Sequence, residues 1–167
     1  MRNLWPGTSR LPQDYSFGLP DDVYELDFVS RYLRSRSNSD LCSLDESRFF
    51  IRGVIPLPFQ GSSEEYCWGV WVEISRKDHD KYVSGYNDDL STEPAFPARL
   101  ANSIPGYDET LGIVVAVKFG TKGQRPSYLL DKSLPHQLAT DQHEGITSAR
   151  QHAMLEAVGH FRRQNAA

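Results

Sequence analysis

Apolar and polar residues alternate with a period of two in two neighbouring segments, residues 48–59 and 66–75. The apolar face of the first segment carries Phe49, Ile51, Gly53, Ile55, Leu57 and Phe59. The apolar face of the second carries Tyr66, Trp68, Val70, Val72 and Ile74. Strict alternation is typical of a β-strand with one buried face. We therefore predict a two-stranded hairpin at the centre of the fold.

The alternation also predicts how the two strands of the hairpin are aligned. If Phe59 faces Tyr66, then Arg52 faces Glu73 on the second face of the hairpin. An opposite-charge pair across two strands favours that register modestly. A slip of one residue would turn the apolar set towards water, whereas a slip of two residues would preserve it. The parity of the pairing is therefore determined, and the register itself is a weaker prediction.

Three further segments, residues 41–44, 111–119 and 127–131, have the β-branched and apolar composition of strands. The glycine-containing segment 120–125 joins the last two as a hairpin turn, because a phosphate-binding loop would need a helix after it. Pro56 and Pro58 cannot donate a hydrogen bond on one edge of the first hairpin strand. That edge is predicted to face solvent or a bulge near the following loop.

Helices are predicted from apolar residues at helical spacing and from capping residues. The expected helices run from Asp21 or Asp22 through Leu33, from Ser75 to about Tyr86, over residues 98–103, from Pro135 to Gly145, and from Thr147 to about Arg163. The expected buried stripe of the first is Val23, Leu26, Val29 or Ser30, and Leu33. That of the last is Ala149, Ala153, Met154, Ala157, Val158 and Phe161. Residues 35–40 are predicted to form a polar loop.

These elements predict an α+β fold with a mainly antiparallel sheet of about four to five strands. The hairpin is central, and N-terminal, middle and C-terminal helices pack on the sheet. Residues 1–20 are rich in Pro, Gly and polar groups, so we expect an irregular arm that is held at Trp5, Tyr15 and Phe17. Residues 21–164 are expected to form a single domain.

Composition and charge limit the classes of function. Of the 167 residues, 39% are apolar and 24% charged, which is the balance of a globular chain. The net charge of −4 argues against nucleic-acid binding and favours, if anything, a basic partner surface. The chain shows no signal-peptide pattern and no apolar run long enough for a membrane helix, so we expect a cytoplasmic protein that does not contact membranes. In a reducing compartment, Cys42 and Cys67 are expected to be free thiols.

The densest polar cluster is residues 136–145. In a helix, His136 and His143 would share a face and could present two imidazoles to a metal, but no third ligand is evident. The alternative is a helix that caps itself and bonds to nearby loops. Asp141 and Glu144 could act as paired carboxylates, although acids on an exposed helix are usually solvated. We predict no catalytic residue, no metal and no cofactor, because no nucleophile–base pair or phosphate-binding loop is present.

The second face of the hairpin is a candidate binding surface. Trp71 lies on that face with Arg52 and Glu73, and a Trp beside an Arg can bind ligands. The alternative, which we prefer, is that a helix or the N-terminal arm covers this face.

Several motifs, taken together and in order, resemble one bacterial family, the domain of unknown function 2199. They are CSLDESRFFIRGVIPLPF (42–59), WGVWVEIS (68–75), LANSIPGYDETL (100–111), an Arg-Pro pair at 125–126 and HQLATDQHEGIT (136–147). Members of the family often begin with a Cys-x-x-Cys pair that resembles a small zinc site. Residues 5–14 contain no cysteine, so zinc is not carried over. As a second departure, Gln137 stands where the family often has Pro.

The resemblance implies a bacterial cytosolic protein and no known reaction. It draws attention to the polar motif residues Arg52, Arg125, His136, Gln142 and Glu144, which either form a site or pair with one another to hold the fold. Our first hypothesis is a non-catalytic protein-binding module, of an immunity or regulatory type, whose partner presents a basic surface or is a toxin-like protein. The alternative is a small-ligand-binding protein or an enzyme that uses these five residues. A third is a purely structural network.

Overall fold

The computed structural model describes residues 10–164, which form one mixed sheet and six helices. The strands are β1 (Asp14–Ser16), β2 (Ser35–Ser37), β3 (Leu41–Leu44), β4 (Arg48–Pro58), β5 (Glu65–Ile74), β6 (Phe96–Leu100), β7 (Val114–Lys118) and β8 (Ser127–Leu129). The helices are α1 (Asp21–Tyr24), α2 (Phe28–Arg34), α3 (Arg76–Ser84), α4 (Gln137–Glu144), α5 (Ser148–Ala157) and α6 (His160–Gln164).

Five of the strands close into a barrel. The order across the sheet is β1-β5-β6-β7-β8-β4-β3-β2, and β4 also pairs with β5. This extra pairing joins β4, β5, β6, β7 and β8 into a ring, while β1, β3 and β2 extend the sheet outside it. The pairs β1–β5 and β4–β8 are parallel, and the others are antiparallel. The predicted combination of helices with a largely antiparallel sheet is confirmed, but the sheet of the described residues has eight strands, not four to five.

The central hairpin is β4 and β5, and its register differs from the predicted one by two residues. Leu57 pairs with Tyr66, and Arg52 pairs with Trp71. The parity and the buried face are therefore as predicted, but Arg52 does not face Glu73. A single pair of opposite charges contributes too little to choose between registers that bury the same apolar face.

Two cores lie on the two faces of the hairpin. The larger core fills the barrel, and its completely buried members include Ile51, Ile55, Leu57, Tyr66, Trp68, Val70, Val72, Val117, Tyr128 and Leu138. The smaller core consists of Val23, Cys42, Leu44, Phe50, Trp71 and Ala101. Phe17, Leu19 and Leu26 pack over it. The second face of the hairpin is thus covered by the N-terminal segment and α1, which was the preferred alternative.

Gly53 is the one small residue on the barrel face of β4, and its neighbours explain it. A Cβ atom at this position would lie 2.5 Å from the carbonyl oxygen of Pro126 and 2.5 Å from Cζ of Tyr128. The Tyr128 ring crosses β4 here and donates its hydroxyl to the carbonyl of Ile51 at 2.9 Å. Close approach of β8 to β4, which closes the barrel, therefore requires glycine.

The N-terminal third differs from its predicted form. Within the arm, β1 pairs with β5, while residues 1–9, including Trp5, lie outside the described residues. The expected helix from Asp21 is divided into α1 and α2, because Asp27 caps the second by accepting from the Ser30 amide at 3.0 Å. Val23 is buried as predicted, but Val29 and Leu33 are exposed.

Two more segments form strands, although their local sequence predicts a loop and a helix. Residues 35–37, predicted as loop, form β2 against β3. Of residues 98–103, predicted as helix, the first three form the second half of β6, where Ala98 and Leu100 are buried and Arg99 is exposed. Ala, Arg and Leu favour a helix in isolation, but alternating burial between β5 and β7 outweighs that preference.

The edge of β4 marked by Pro56 and Pro58 is covered, contrary to prediction. The amide of Ile146 donates to the Pro58 carbonyl at 2.8 Å, and the Gln142 side chain approaches the Pro56 carbonyl at 3.4 Å. Proline lacks a donor but keeps its acceptor, so this edge can still receive hydrogen bonds from a side chain and a loop.

Helix α5 begins at the predicted cap, whereas α4 begins at Gln137 with His136 as its N-cap, so Pro135 lies before the helix and not in its first turn. The Arg150 amide donates to Oγ1 of Thr147 at 3.1 Å at the start of α5. The predicted single helix ends at Ala157, and Gly159, at φ +76°, separates it from α6. Met154 is buried as expected, whereas Ala149 and Ala153 are exposed and Gln151 and Leu155 take their places. The buried stripe is therefore rotated towards Leu155.

The two cysteines are free, and we expect Cys42 to react slowly with thiol reagents. Burial in the smaller core raises the pKa of Cys42 to about 11, so little thiolate is present near pH 8. In a Cys67→Ser variant, modification by a disulfide reagent should follow unfolding and accelerate with added denaturant. The same reagent applied to Cys42→Ser reports on the half-buried Cys67 as a comparison. Rapid modification of Cys42 under native conditions would contradict the burial.

Candidate functional site

Within residues 10–164, the most exposed large apolar side chains lie on or beside α1 and α2. They are Tyr24, Phe28, Val29, Tyr32 and Leu33, each between 61% and 80% exposed. We refer to these five residues as the α2 surface. Large apolar side chains that lie together in water are typical of a site that another molecule covers.

The α2 surface borders a groove of about 570 Å³ that is positively charged. The groove is lined by Phe28, Arg31, Tyr32, Leu33, Ser35, Arg36 and Ser37. Arg31 is held in place by bonds to the carbonyls of Val23 and Leu26, at 3.2 and 3.0 Å. Arg36 donates to the carbonyls of Tyr32 and Ser35. Neither guanidinium is paired with a carboxylate among the described residues, so the groove keeps both positive charges.

A second concave region, the Asp40 cleft, has a volume of about 300 Å³. It lies between the end of α3, the loop after it and the loop that joins β7 to β8. Its lining includes three aromatic residues, a leucine and an oppositely charged pair: Tyr82, Tyr86, Phe119, Leu90, Asp40 and Arg125. Tyr82 and Phe119 are stacked with ring centroids 5.3 Å apart, so the wall of the cleft is aromatic.

The polar end of this cleft is organised around the Asp40 carboxylate. Nε of Arg125 donates to Oδ1 at 3.0 Å, and the Tyr86 hydroxyl donates to Oδ2 at 2.8 Å. Burial by itself would raise the pKa of Asp40, but the bonds from Tyr86 and Arg125 prevail and lower it. Asp40 is therefore ionised at neutral pH and holds Arg125 across the mouth of the cleft.

Arg52 lies next to Asp40 and Arg125. Its amide donates to the Asp40 carbonyl at 3.0 Å, and its Nη1 reaches the Ser39 carbonyl at 3.4 Å. Burial and the positive charge of Arg125 lower the pKa of Arg52, while Nε of Arg52 is buried without a hydrogen-bond partner in the described chain. Two of the predicted binding residues, Arg52 and Arg125, are thus brought together.

Trp71 and Glu73, predicted on the same hairpin face, have structural surroundings. Trp71 is completely buried and its Nε1 donates to the Phe17 carbonyl at 2.9 Å. Glu73 accepts two bonds of 2.8 Å from Arg48, which also pairs with Asp22 of α1. These contacts attach the N-terminal segment to the sheet and leave no Trp–Arg surface there.

His136 and His143 both bond to backbone carbonyls. Nδ1 of His136 accepts from the Leu138 amide at 3.1 Å and caps α4, while its Nε2 lies 3.0 Å from the Asp108 carbonyl. Nε2 of His143 lies 2.6 Å from the Leu130 carbonyl. The Glu144 side chain is exposed and makes no hydrogen bond or ion pair with another described residue. The helix thus follows the self-capping alternative.

Gln142 connects α4 to two other backbone segments inside the protein. Its Oε1 accepts from the Leu130 amide at 2.8 Å, and its Nε2 donates to the Tyr128 carbonyl at 2.8 Å. The same Nε2 lies 3.4 Å from the Pro56 carbonyl. The side chain therefore links the end of β8 to β4 where direct strand pairing stops.

Asp141, which was expected to be solvated, belongs to a buried charged network beside α4. The sequence did not predict this network. Asp141 is only 3% exposed and accepts from the Tyr107 hydroxyl at 2.5 Å, Gln137 Nε2 at 2.7 Å and Arg150 Nε at 3.0 Å. Burial, followed by the bond to Asp141, raises the pKa of Tyr107. No short-range signal marks this network, because its members come from three separate segments.

The predicted binding residues therefore occupy three places. Arg52 and Arg125 lie beside Asp40, Trp71 and Glu73 hold the N-terminal segment, and the rest lie at α4, where His136 and Gln142 bond to backbone and Glu144 is exposed. Among residues 10–164, no cluster of His, Cys, Asp and Glu has the arrangement of a metal site. Over the same range, no helix is both long enough and apolar enough to cross a membrane.

Comparison with known proteins supplies the family. No curated protein and no solved structure matches the chain. Residues 7–146 match the family DUF2199, described as an uncharacterized protein conserved in bacteria. The match covers well over half of the chain and contains both the Asp40 cleft and the α2 surface. The chain therefore belongs to the bacterial family DUF2199.

Proposed function

We propose that the protein is a non-catalytic binding module that recognises an acidic protein partner through the α2 surface. The observation that carries the proposal is the exposure of five large apolar side chains on two short helices. A solvated helix face of ordinary composition would carry polar residues at these positions. Aromatic residues are also the commonest anchors of protein interfaces.

The charge of the groove indicates the chemistry of the partner. The net charge of the whole chain favoured a basic partner, but local charge governs docking, and Arg31 and Arg36 make this groove positive. A segment that combines apolar anchors with Asp or Glu would match both features. A second copy of the chain matches less well, because a two-fold contact would bring the same arginines of both copies together.

The proposal is tested with peptides selected from a random phage-displayed library on the immobilised protein. We expect the bound peptides to combine aromatic or aliphatic residues with Asp or Glu and to bind more weakly as salt increases. Phe28→Asp and Arg36→Glu should each weaken binding about tenfold or more, since the first removes an anchor and the second reverses a charge. Isothermal titration calorimetry with the synthetic peptides measures the change.

Val114→Asp is the matched control, because Val114 is also an exposed apolar residue but lies on β7. It should bind the selected peptides like the unmodified protein. Three results would overturn the proposal: peptides that bind Phe28→Asp normally, peptides without acidic residues, or a concentration-dependent dimer that Phe28→Asp abolishes. The last result would assign the α2 surface to self-association.

A further inference from the structure

We propose that the Asp40 cleft binds a small molecule that carries a carboxylate or phosphate group on a flat apolar body. The cleft shares no lining residue with the groove beside the α2 surface. It is therefore a second site, and it does not depend on the proposed protein partner.

The apolar part of the ligand is inferred from the wall of the cleft. Tyr82 stacks on Phe119 and meets Tyr86 edge to face, with centroids 5.3 and 5.7 Å apart. Leu90 extends the apolar wall, where it packs against Gly85. Small-molecule sites are typically concave, largely apolar and provided with a few fixed polar groups. Tyr82 and Phe119 are nearly buried, at 6% and 4% exposed, so the ring of Tyr86, at 47%, offers a flat apolar group most of the aromatic surface.

The charged part of the ligand is inferred from Arg125. Its Nε is bound to Asp40, and its two terminal amino groups have no hydrogen-bond acceptor among the described residues. A guanidinium that is fixed through Nε presents its remaining N–H groups in one plane, which suits the two oxygens of a carboxylate or phosphate. Asp40 thus acts as a positioning residue for Arg125.

Arg52 does not line the cleft, but its positive charge lies near that of Arg125. Its Nε is buried and unpaired in the described chain, and its charge is close enough to Arg125 to oppose it. Two neighbouring arginines with one shared carboxylate leave unbalanced positive charge, and a bound anion would reduce their repulsion. Asp88, at the rim of the cleft, also lines it, so an anionic group is expected at the Arg125 end and away from this rim.

Four probes separate the parts of the proposal: phenyl phosphate, benzoate, inorganic phosphate and benzylamine. Binding is followed in 15N–1H correlation NMR spectra of the full chain. When phenyl phosphate or benzoate is added, the amide signals of Gly120, Gly123 and Gln124, which line the cleft, should shift. Inorganic phosphate should bind at least several-fold more weakly, and benzylamine should not compete. If inorganic phosphate binds as tightly as phenyl phosphate, the ligand needs no apolar body and that claim is wrong. If benzylamine binds more tightly than benzoate, the claim that the ligand is negatively charged is wrong.

Variants of the β7–β8 loop complete the test. Arg125→Gln should weaken binding of phenyl phosphate about tenfold or more, because it removes a charged hydrogen bond. Lys122→Gln is the matched control: it removes one positive charge from the same loop, but Lys122 does not line the cleft. Equal weakening in both variants would indicate only general charge attraction and would overturn the site.

A second variant guards against a loss of fold in Arg125→Gln. Thr121 is exposed and lines the cleft, so Thr121→Glu adds a negative charge at the site without disturbing the core. The affinity of this variant for phenyl phosphate should be several-fold lower, because the new carboxylate repels the phosphate. An unchanged affinity would contradict the proposal. Phe28→Asp on the α2 surface should leave phenyl phosphate binding unaltered, which separates failure of this site from failure of the protein-binding proposal.

Discussion

Replacement of Asp141 by alanine is expected to destabilise the fold by about 3 kcal/mol. The change leaves the Arg150 guanidinium, whose side chain is 27% exposed, without its carboxylate and removes the acceptor of the Tyr107 hydroxyl. Removing one member of a fully buried ion pair costs about 3–5 kcal/mol, and the partial exposure of Arg150 places this case at the lower end. Urea unfolding followed by tryptophan fluorescence measures the change in the free energy of unfolding.

The Asp141 prediction has an internal control on the same helix. Glu144 is exposed and unpaired among the described residues, so Glu144→Ala should change stability by less than about 0.5 kcal/mol. A double variant, Asp141→Leu with Arg150→Met, removes both charges and should be more stable than Asp141→Ala. If the double variant is no better, the loss reflects packing and not an unpaired charge. A loss below about 1 kcal/mol in Asp141→Ala would contradict the buried network.

Gln142→Leu is expected to cost about 2–4 kcal/mol, although leucine has nearly the same volume as glutamine. The variant leaves the Leu130 amide and the Tyr128 carbonyl buried without partners. Each unsatisfied buried group costs about 1–3 kcal/mol. Because these groups lie where β8 leaves β4, the loss should appear first as faster hydrogen exchange at Tyr128 and Leu130, before global unfolding.

The stability of a charged variant at the same position should depend on pH. Gln142→Glu keeps an acceptor for the Leu130 amide but turns a carboxylate towards two carbonyls. Burial and these carbonyls would raise the pKa of the new carboxyl above its unfolded value. The protonated form is then favoured in the folded state, so the stability deficit should grow as pH rises from 5 to 8. A deficit that is independent of pH, or a Leu variant as stable as the parent, would show that Gln142 does not bridge the strands.

The same variants decide what the shared polar motif residues do. If Gln142→Leu loses stability while phenyl phosphate binding by the folded fraction is unchanged, Gln142 supports the barrel and lies outside any site. Arg125→Gln is expected to show the opposite: a small loss of stability, because Arg125 is partly exposed and solvent weakens its ion pair with Asp40, and a clear loss of binding. The five motif residues that the sequence grouped together would then have two different roles.

Part of the candidate chemistry was accessible from the sequence. Arg52 and Arg125 were singled out from motifs and do lie close together. Their shared partner Asp40, and the wall of Tyr82, Tyr86 and Phe119, were not predicted, because these residues come from segments that are distant in the chain. The α2 surface was predicted with the wrong orientation, since helical spacing identifies an apolar stripe but does not say whether anything covers it.

The sequence by itself determined the local features: the β4–β5 hairpin and its buried face, the capping of α3 and α5, and the turn between β7 and β8. These depend on period-two alternation and on side chains that bond to nearby backbone, so short segments contain the information. Only the tertiary structure decided the register of the hairpin, the β6 strand, the closure of the barrel and the burial of Asp141. Each of these depends on energy shared between distant segments: the apolar area buried between strands, or a hydrogen bond such as that from Gln142 to β8. The physical reason is that local preferences of a few tenths of a kcal/mol are smaller than the free energy of burying a residue or satisfying a buried polar group.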